Sequence, residues 1–249
     1  MNAHPPADTR RQGIALVTGA SRGLGETLGG FLAQEGFHLI ATARGAQALD
    51  AATRTWRAQG GSVEALAGDV TDPVHVAALR ARVASRGRLD LLVNNASELG
   101  PSPLVELSQL SLPELRRVFE VNVVAPLALV QQLLPWLERA GGQVVNVSSD
   151  AAVGAYPGWG GYGASKSALD LVSRTLAEEL RGRGISVVAV DPGDMRTAMH
   201  QAASPDQDIS DRPLPSVTLP FWAWLLHRDP ADVSGQRFRA QSDRWEVPP

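Results

Sequence analysis

The chain contains no cysteine. That excludes disulfide cross-links, zinc sites built from thiolates and thiol nucleophiles, and it fits a reducing, cytoplasmic setting. Its five histidines (His4, His38, His75, His200 and His227) never fall at the HxH or i,i+4 spacing of a metal site, so no metal centre is expected. Charge of one sign is never concentrated: the formal net charge is -3, with acids and bases spread along the chain. Without a basic block or a cationic amphipathic stretch, neither nucleic acid nor a membrane surface is an expected partner. The most apolar late segment, 219–226 (LPFWAWLL), is far too short to cross a bilayer. It reads as a helix packed on the core, or else as an aromatic wall of a pocket or of a subunit contact. Residues 1–12 lack the apolar centre of a signal peptide and read as a mobile tail.

What is present is a regular alternation. The chain has 249 residues, 44% of them hydrophobic, enough for a sizeable core. Strand candidates are 13–18, 37–42, 62–67, 89–93, 143–148, 185–190 and 235–239. Helix candidates are 24–35, 45–58, 73–86, 112–139, 162–182 and 217–227. This βαβα rhythm predicts one α/β domain over 13–249, a doubly wound parallel sheet of seven strands with helices on both faces. Pro126 and Pro135 fall inside the fourth helix candidate, so kinks or breaks are expected there. Gly29 and Gly30 weaken the first helix by about 1 kcal/mol each relative to alanine. Close helix–sheet packing is the expected reason. The least regular stretch, 195–216, follows a strand at the edge of the sheet where ligands bind in such folds. It reads as a substrate loop, either a mobile lid or a plain surface loop.

Two local patterns carry chemistry. The first is Gly19-Ala20-Ser21-Arg22-Gly23-Leu24-Gly25, which follows a short strand and opens a helix. Glycines let the backbone approach phosphates, and a helix N-terminus supplies N–H groups and positive potential. The spacing is GxxxGxG rather than GxGxxG, and an ordinary glycine-rich turn is the competing reading. The second is Tyr162 and Lys166, four residues apart, with Ser149 thirteen residues upstream. Four residues is one helical turn, so the ammonium would share a face with the phenol. A positive neighbour lowers a phenol pKa from its usual value near 10. A serine hydroxyl nearby could hydrogen-bond a substrate oxygen.

Together the two patterns resemble the short-chain dehydrogenase/reductase family, over about 13–240 and in the family's order. The resemblance implies a Rossmann domain, with cofactor contacts from Gly19, Ser21, Arg22, Gly23, Leu24 and Gly25. It implies that Asp69, with Val70, meets the adenine. Asn95 and Ala96 match the NNAG motif after the fourth strand, with Ser97 standing where the family usually has glycine. Asn122 resembles the asparagine that kinks a long helix and holds a water in a proton relay. Pro192 and Gly193 match the PG motif after the sixth strand, and Met195 and Thr197 fall on the nicotinamide side. The catalytic set implied is Ser149, Tyr162, Lys166 and Asn122. Thirteen residues before the tyrosine selects Ser149 over Ser148. Adjacent strand residues face opposite ways, so Ser148 is expected to be structural.

An acid at the end of the second strand would bind a ribose 2′-hydroxyl. Here that strand ends Ala41-Thr42-Ala43-Arg44, and Arg22 lies in the glycine turn. Arginines pair with a 2′-phosphate, so NADP(H) is favoured over NAD(H). The implied reaction is reversible hydride transfer to a small-molecule carbonyl, with Tyr162 as acid/base. Lys166 would lower the phenol pKa and hold the nicotinamide ribose. Open substrates are a 3-oxoacyl thioester, a secondary alcohol, a sugar, a steroid-like ketone or a polyketide-type ketone. Glu98, Leu99, Gly100, residues 151–159 and the loop 195–216 would shape the pocket. Tyr156 and Trp159 fit either substrate stacking or loop packing, and Asp150 is expected to point away. The alternatives are a catalytically silent NADP-binding regulatory or scaffold protein, or an epimerase or dehydratase on the same scaffold. The resemblance also implies a homodimer or homotetramer.

Overall fold

A computed structural model describes residues 13–246; the tail expected over 1–12 lies outside them. The strands are β1 (Ile14–Thr18), β2 (His38–Ala43), β3 (Val63–Ala67), β4 (Leu91–Asn94), β5 (Gln143–Val147), β6 (Ser186–Asp191) and β7 (Arg237–Arg239). They form one seven-stranded sheet in the order β3-β2-β1-β4-β5-β6-β7. Every pairing is parallel. The order reverses between β1 and β4, which opens a crevice at the carboxyl ends of the strands. β1, β2, β5 and β6 are buried at every position, as a parallel sheet covered on both faces requires.

The helices are α1 (Gly23–Gln34), α2 (Ala46–Ala58), α3 (Pro73–Arg86), α4 (Leu112–Phe119), α5 (Ala125–Ala140), α6 (Gly160–Leu180), α7 (Ala198–Ala203), α8 (Leu219–Leu226) and α9 (Pro230–Val233). Alternate strand residues divide the core in two. Ala15, Val17, Leu39 and Ala41 pack with residues of α1, α2 and α8. Ile14, Leu16, Ile40 and Leu92 pack with residues of α3, α5 and α6. Phe221, Trp222 and Leu225 of α8 belong to the first cluster, so the apolar run 219–226 is core packing.

The fourth helix candidate changes form at only one of its two prolines. Between α4 and α5 the backbone makes a π-helical turn, Glu120–Val124, with Pro126 in the first turn of α5, whereas Pro135 stands inside α5 without breaking it. The combined stretch Leu112–Ala140 is long enough to cross a bilayer and contains an 18-residue window apolar enough to do so, of mean hydropathy 1.4. In the fold Leu129, Val130, Leu133 and Leu137 are buried in the second core cluster. The stretch 195–216 is less irregular than expected, because it contains α7.

The reason for Gly29 and Gly30 differs from expectation. A Cβ on Gly29 would lie 2.4 Å from the Trp56 ring, and one on Gly30 would lie 3.0 Å from the Trp56 indole nitrogen. The glycines make room for a tryptophan on α2, so the close contact is helix on helix and not helix on sheet. Alanine at 29 gains up to about 1 kcal/mol of helix propensity but overpacks the site by about 1–3 kcal/mol. Gly29→Ala is therefore expected to lower the midpoint of urea unfolding, and Trp56→Leu in the same chain is expected to relieve the loss. A Gly29→Ala protein more stable than the wild type contradicts this packing.

Candidate active site

The crevice at the strand ends is a cavity of about 640 Å³. At one end its wall is the glycine turn, with Gly19, Ser21, Arg22, Gly23, Leu24 and Gly25. Gly19 and Gly23 adopt left-handed φ of 67° and 58°, conformations that glycine accepts without strain. A Cβ on Gly25 would lie 2.3 Å from the Gly19 carbonyl, so the turn closes tightly on the start of α1. The Asn95 amide fixes this shape by donating to the carbonyls of Thr18 at 2.8 Å and Gly19 at 3.2 Å. No side chain caps α1, whereas Asp72 and Ser111 cap α3 and α4. The free N–H groups of α1 face a cavity, an arrangement that fits a pyrophosphate.

Beyond the turn, Arg44, Asp69, Val70 and Ala96 line the same cavity. Asp69 is tied on both oxygens. Thr71 N–H donates to Oδ1 at 2.9 Å, and Arg117 donates to Oδ2 at 2.7 Å. Partial burial pushes this carboxyl up, but the Thr71 and Arg117 bonds outweigh it and hold the pKa at about 2. Arg117 sits on α4 and lines the cavity, and the sequence offered no signal for it. Arg44 pairs with Glu98 at 3.5 Å. Leu99 lines the cavity, while the Glu98 carboxylate is turned to that arginine.

The other end gathers Ser149, Tyr162 and Lys166 with Pro192, Gly193, Met195 and Thr197. Tyr162 and Lys166 share the buried face of α6. A Cβ on Gly163 would lie 2.6 Å from the Ala151 carbonyl, so glycine lets α6 close on the turn that carries Ser149. Lys166 Nζ donates to the Val147 carbonyl at 2.7 Å and lies 5.5 Å from the centre of the Tyr162 ring. Burial pushes the ammonium down to about 8, with Asp170 pulling the other way. Burial also pushes the Tyr162 phenol up to about 12; the Ser97 and Ser149 hydroxyls lower it, and Asp150 and Asp191 raise it. The expectation that Lys166 acidifies the phenol is not met in this arrangement, because desolvation outweighs every favourable neighbour.

Asn122 stands in the π-helical turn that interrupts the long helix, fully buried and away from the cavity wall, with its amide bonded to Ser97, Glu98 and Ser165. Two further expectations change. Ser148 borders the cavity together with Ser149, although it is 2% exposed and its Oγ has no protein partner among the described residues. Two strand neighbours can both border a cavity that wraps around the end of the strand. Asp150 does not point away: its Oδ1 accepts from Ser149 Oγ at 3.0 Å, and it borders the cavity with Ser149 and Tyr156. Trp159 packs edge-on against Tyr162 at 5.7 Å. The loop 195–216 forms a cavity wall through Thr197, Met199, His200, Ser204, Gln207 and Arg212. Among the described residues no cluster of acids and histidines could hold a metal ion.

The comparisons with known proteins agree with this geometry. The sequence pattern of the short chain dehydrogenase family matches residues 13–208. The chain is similar to a gluconate 5-dehydrogenase of Gluconobacter oxydans, at 31% identity over 94% of this chain and 86% of that protein. It is similar to a rhamnolipids biosynthesis 3-oxoacyl-[acyl-carrier-protein] reductase of Pseudomonas aeruginosa, at 34% identity over 85% of this chain and 83% of that protein. Among solved structures, a short chain dehydrogenase from Shigella flexneri complexed with NADP superimposes with a TM-score of 0.86. It is 30% identical, covering 92% of this chain and 97% of that one.

The burial of Lys166 predicts a pH dependence of stability. Its folded pKa of about 8 lies below the ordinary 10.5, so between those values the unfolded chain binds the extra proton. Stability contributed by this group therefore rises with pH through that window, and its burial cost is full below pH 8. Lys166 is the chain's only lysine and there is no cysteine, so few other groups titrate there. In urea unfolding, Lys166→Met is expected to gain most over the wild type near about pH 7.5 and least near about pH 9.5. A difference between the two proteins that stays constant with pH contradicts a depressed lysine.

Proposed function

The chain belongs to the short-chain dehydrogenase family, and on that premise we propose that it transfers a hydride reversibly between NADP(H) and the carbonyl or secondary alcohol of a small molecule, with Tyr162 as the acid–base group. What supports this reading is a single cavity that joins uncapped helix amides and arginines at one end to a phenol, a serine hydroxyl and a buried ammonium at the other. Gly19, Ser21, Arg22, Gly23, Leu24 and Gly25 would hold the phosphates, and Asp69 and Val70 the adenine. Asn95 and Ala96 would shape the ribose side, and Pro192, Gly193, Met195 and Thr197 the nicotinamide side. Arg44 and Arg22 suit a 2′-phosphate, and no acid stands at 42–45 to repel it. The similar structure from Shigella flexneri holds NADP.

When bound, the nicotinamide supplies the hydride. The remaining work falls to side chains. Tyr162 keeps its proton throughout the neutral range, the form required to protonate the oxygen of a carbonyl under reduction. Ser149 would turn its hydroxyl from Asp150 to the same oxygen. Lys166 stabilises the phenolate that remains, and the Val147 carbonyl fixes the direction of its chain. Leu99, Tyr156, Trp159, Met195 and Met199 give the substrate end of the cavity apolar surface beside the polar Asp150, Asp194, His200, Gln207 and Arg212. The named relatives act on substrates as different as gluconate and a carrier-bound 3-oxoacyl chain, so identity near 30% leaves the substrate open.

Two outcomes test the reading. With a panel of ketones, Tyr162→Phe is expected to reduce the rate of NADPH oxidation by about 100-fold or more, while NADPH fluorescence on binding is unchanged. Turnover at the wild-type rate by this variant contradicts the acid–base role. Arg44→Ala is expected to weaken NADPH binding about tenfold or more and to leave NADH binding alone. Equal losses for both cofactors contradict the 2′-phosphate contact.

A further inference from the structure

Asp150 follows Ser149 in the chain and borders the same end of the cavity as Ser149, Tyr156 and Tyr162. The two neighbours are joined through their side chains: Ser149 Oγ donates to Asp150 Oδ1 at 3.0 Å. Ser149 Oγ also accepts from the Ala151 N–H at 3.2 Å. A serine hydroxyl has a single proton to donate. While Asp150 holds it, Ser149 has none to give to a carbonyl oxygen. Ser149 therefore serves a ketone only by leaving Asp150.

The carboxylate left behind then needs another donor. Asp191 and Asp194 border the cavity too, but each has a basic side chain close by. Asp191 lies 3.4 Å from Arg237 and accepts from the Gly193 N–H at 3.0 Å. Asp194 lies 3.8 Å from His200 and 3.9 Å from Arg212. Asp150 forms no such ion pair among the described residues. It is half-buried, so a substrate seated against Ser149 also takes water away from it. Stripping a charged acceptor of its donor costs more than a new bond from serine to a neutral carbonyl gains. A plain ketone offers nothing in exchange. A ketone with a hydroxyl on the adjacent carbon does. That hydroxyl lies about a hydrogen bond's length from the carbonyl oxygen, as Asp150 Oδ1 lies from Ser149 Oγ. Ser149 can turn to the carbonyl while the substrate hydroxyl takes its place on Asp150.

We propose that Asp150 sets the substrate class of this site: it selects carbonyl compounds that carry a hydroxyl on the neighbouring carbon, by exchanging the Ser149 hydroxyl for the substrate's. This rests on the reading of the cavity as a site of hydride transfer, with Ser149 and Tyr162 on the reacting oxygen. The exchange swaps one hydrogen bond for another and makes or breaks no covalent bond. The proton added to the reduced oxygen still comes from Tyr162.

The hydroxyketone 3-hydroxybutan-2-one and its methyl ether, 3-methoxybutan-2-one, share a skeleton and differ in the donor. With the full chain and NADPH, kcat/KM is expected to favour the hydroxyketone about tenfold or more, the worth of a hydrogen bond to a charged group. Asp150→Ala is expected to abolish that preference and to raise kcat/KM for the methoxyketone, because Ser149 is no longer held. Asp150→Asn, which keeps an acceptor without the charge, is expected to fall between the two proteins. A ratio of the two ketones that neither variant moves overturns the role of Asp150 and leaves the hydride-transfer reading standing. So does a wild type that reduces the methoxyketone as well as the hydroxyketone. A wild type that reduces neither overturns both.

Discussion

Burying an ammonium costs several kcal/mol unless its partners are well placed, and Lys166 is 2% exposed. The structure answers with a line of alternating charges beneath the cavity. Lys166 donates to the Val147 carbonyl at 2.7 Å, and the carboxylate of Asp170, one turn further along α6, favours its charged form. Asp170 accepts from Arg237 Nε of β7 at 2.8 Å. The same guanidinium donates to the Ser149 carbonyl at 2.7 Å and to Asp191 at the end of β6 at 3.4 Å. One buried network thus connects the helix that carries Tyr162 and Lys166, the turn that carries Ser149, and the two last strands. The site is held by the same contacts that make a buried lysine tolerable.

The opposite end of the cavity follows a different rule. Two pairs of charges stand there, Asp69 with Arg117 and Arg44 with Glu98. Both arginines are substantially exposed, so these pairs are screened and contribute little to stability. Arginines in such pairs can be redirected toward a ligand phosphate at small cost. Rigid, buried charge at the reacting end and exposed, exchangeable charge at the binding end suit a protein that grips a dinucleotide by its phosphates and adenosine while keeping the chemistry fixed.

Much of this was legible in the sequence, and the reason is local. Strand runs, the glycine turn, and Tyr162 with Lys166 one helical turn apart are patterns of near neighbours, which period and spacing report directly. Each expected cofactor residue also borders the one cavity. The contacts that escaped are long-range and specific. Nothing near Gly29 announces Trp56, and nothing near Asp69 announces Arg117. The bond from Ser97 to Asn122 joins residues 25 apart in the chain. The state of the phenol was misjudged for the same reason. Spacing shows that a lysine is near, but only packing reveals how much water both groups have lost.

The central claim is that one cavity brings a dinucleotide's reactive ring to Tyr162. A crystal structure of the chain grown with NADP tests it most directly. The account predicts the 2′-phosphate beside Arg44 or Arg22, the pyrophosphate on the first amides of α1, and the nicotinamide ring against Tyr162 and Lys166. A dinucleotide bound with its nicotinamide turned away from Tyr162, or bound outside this cavity, would contradict it.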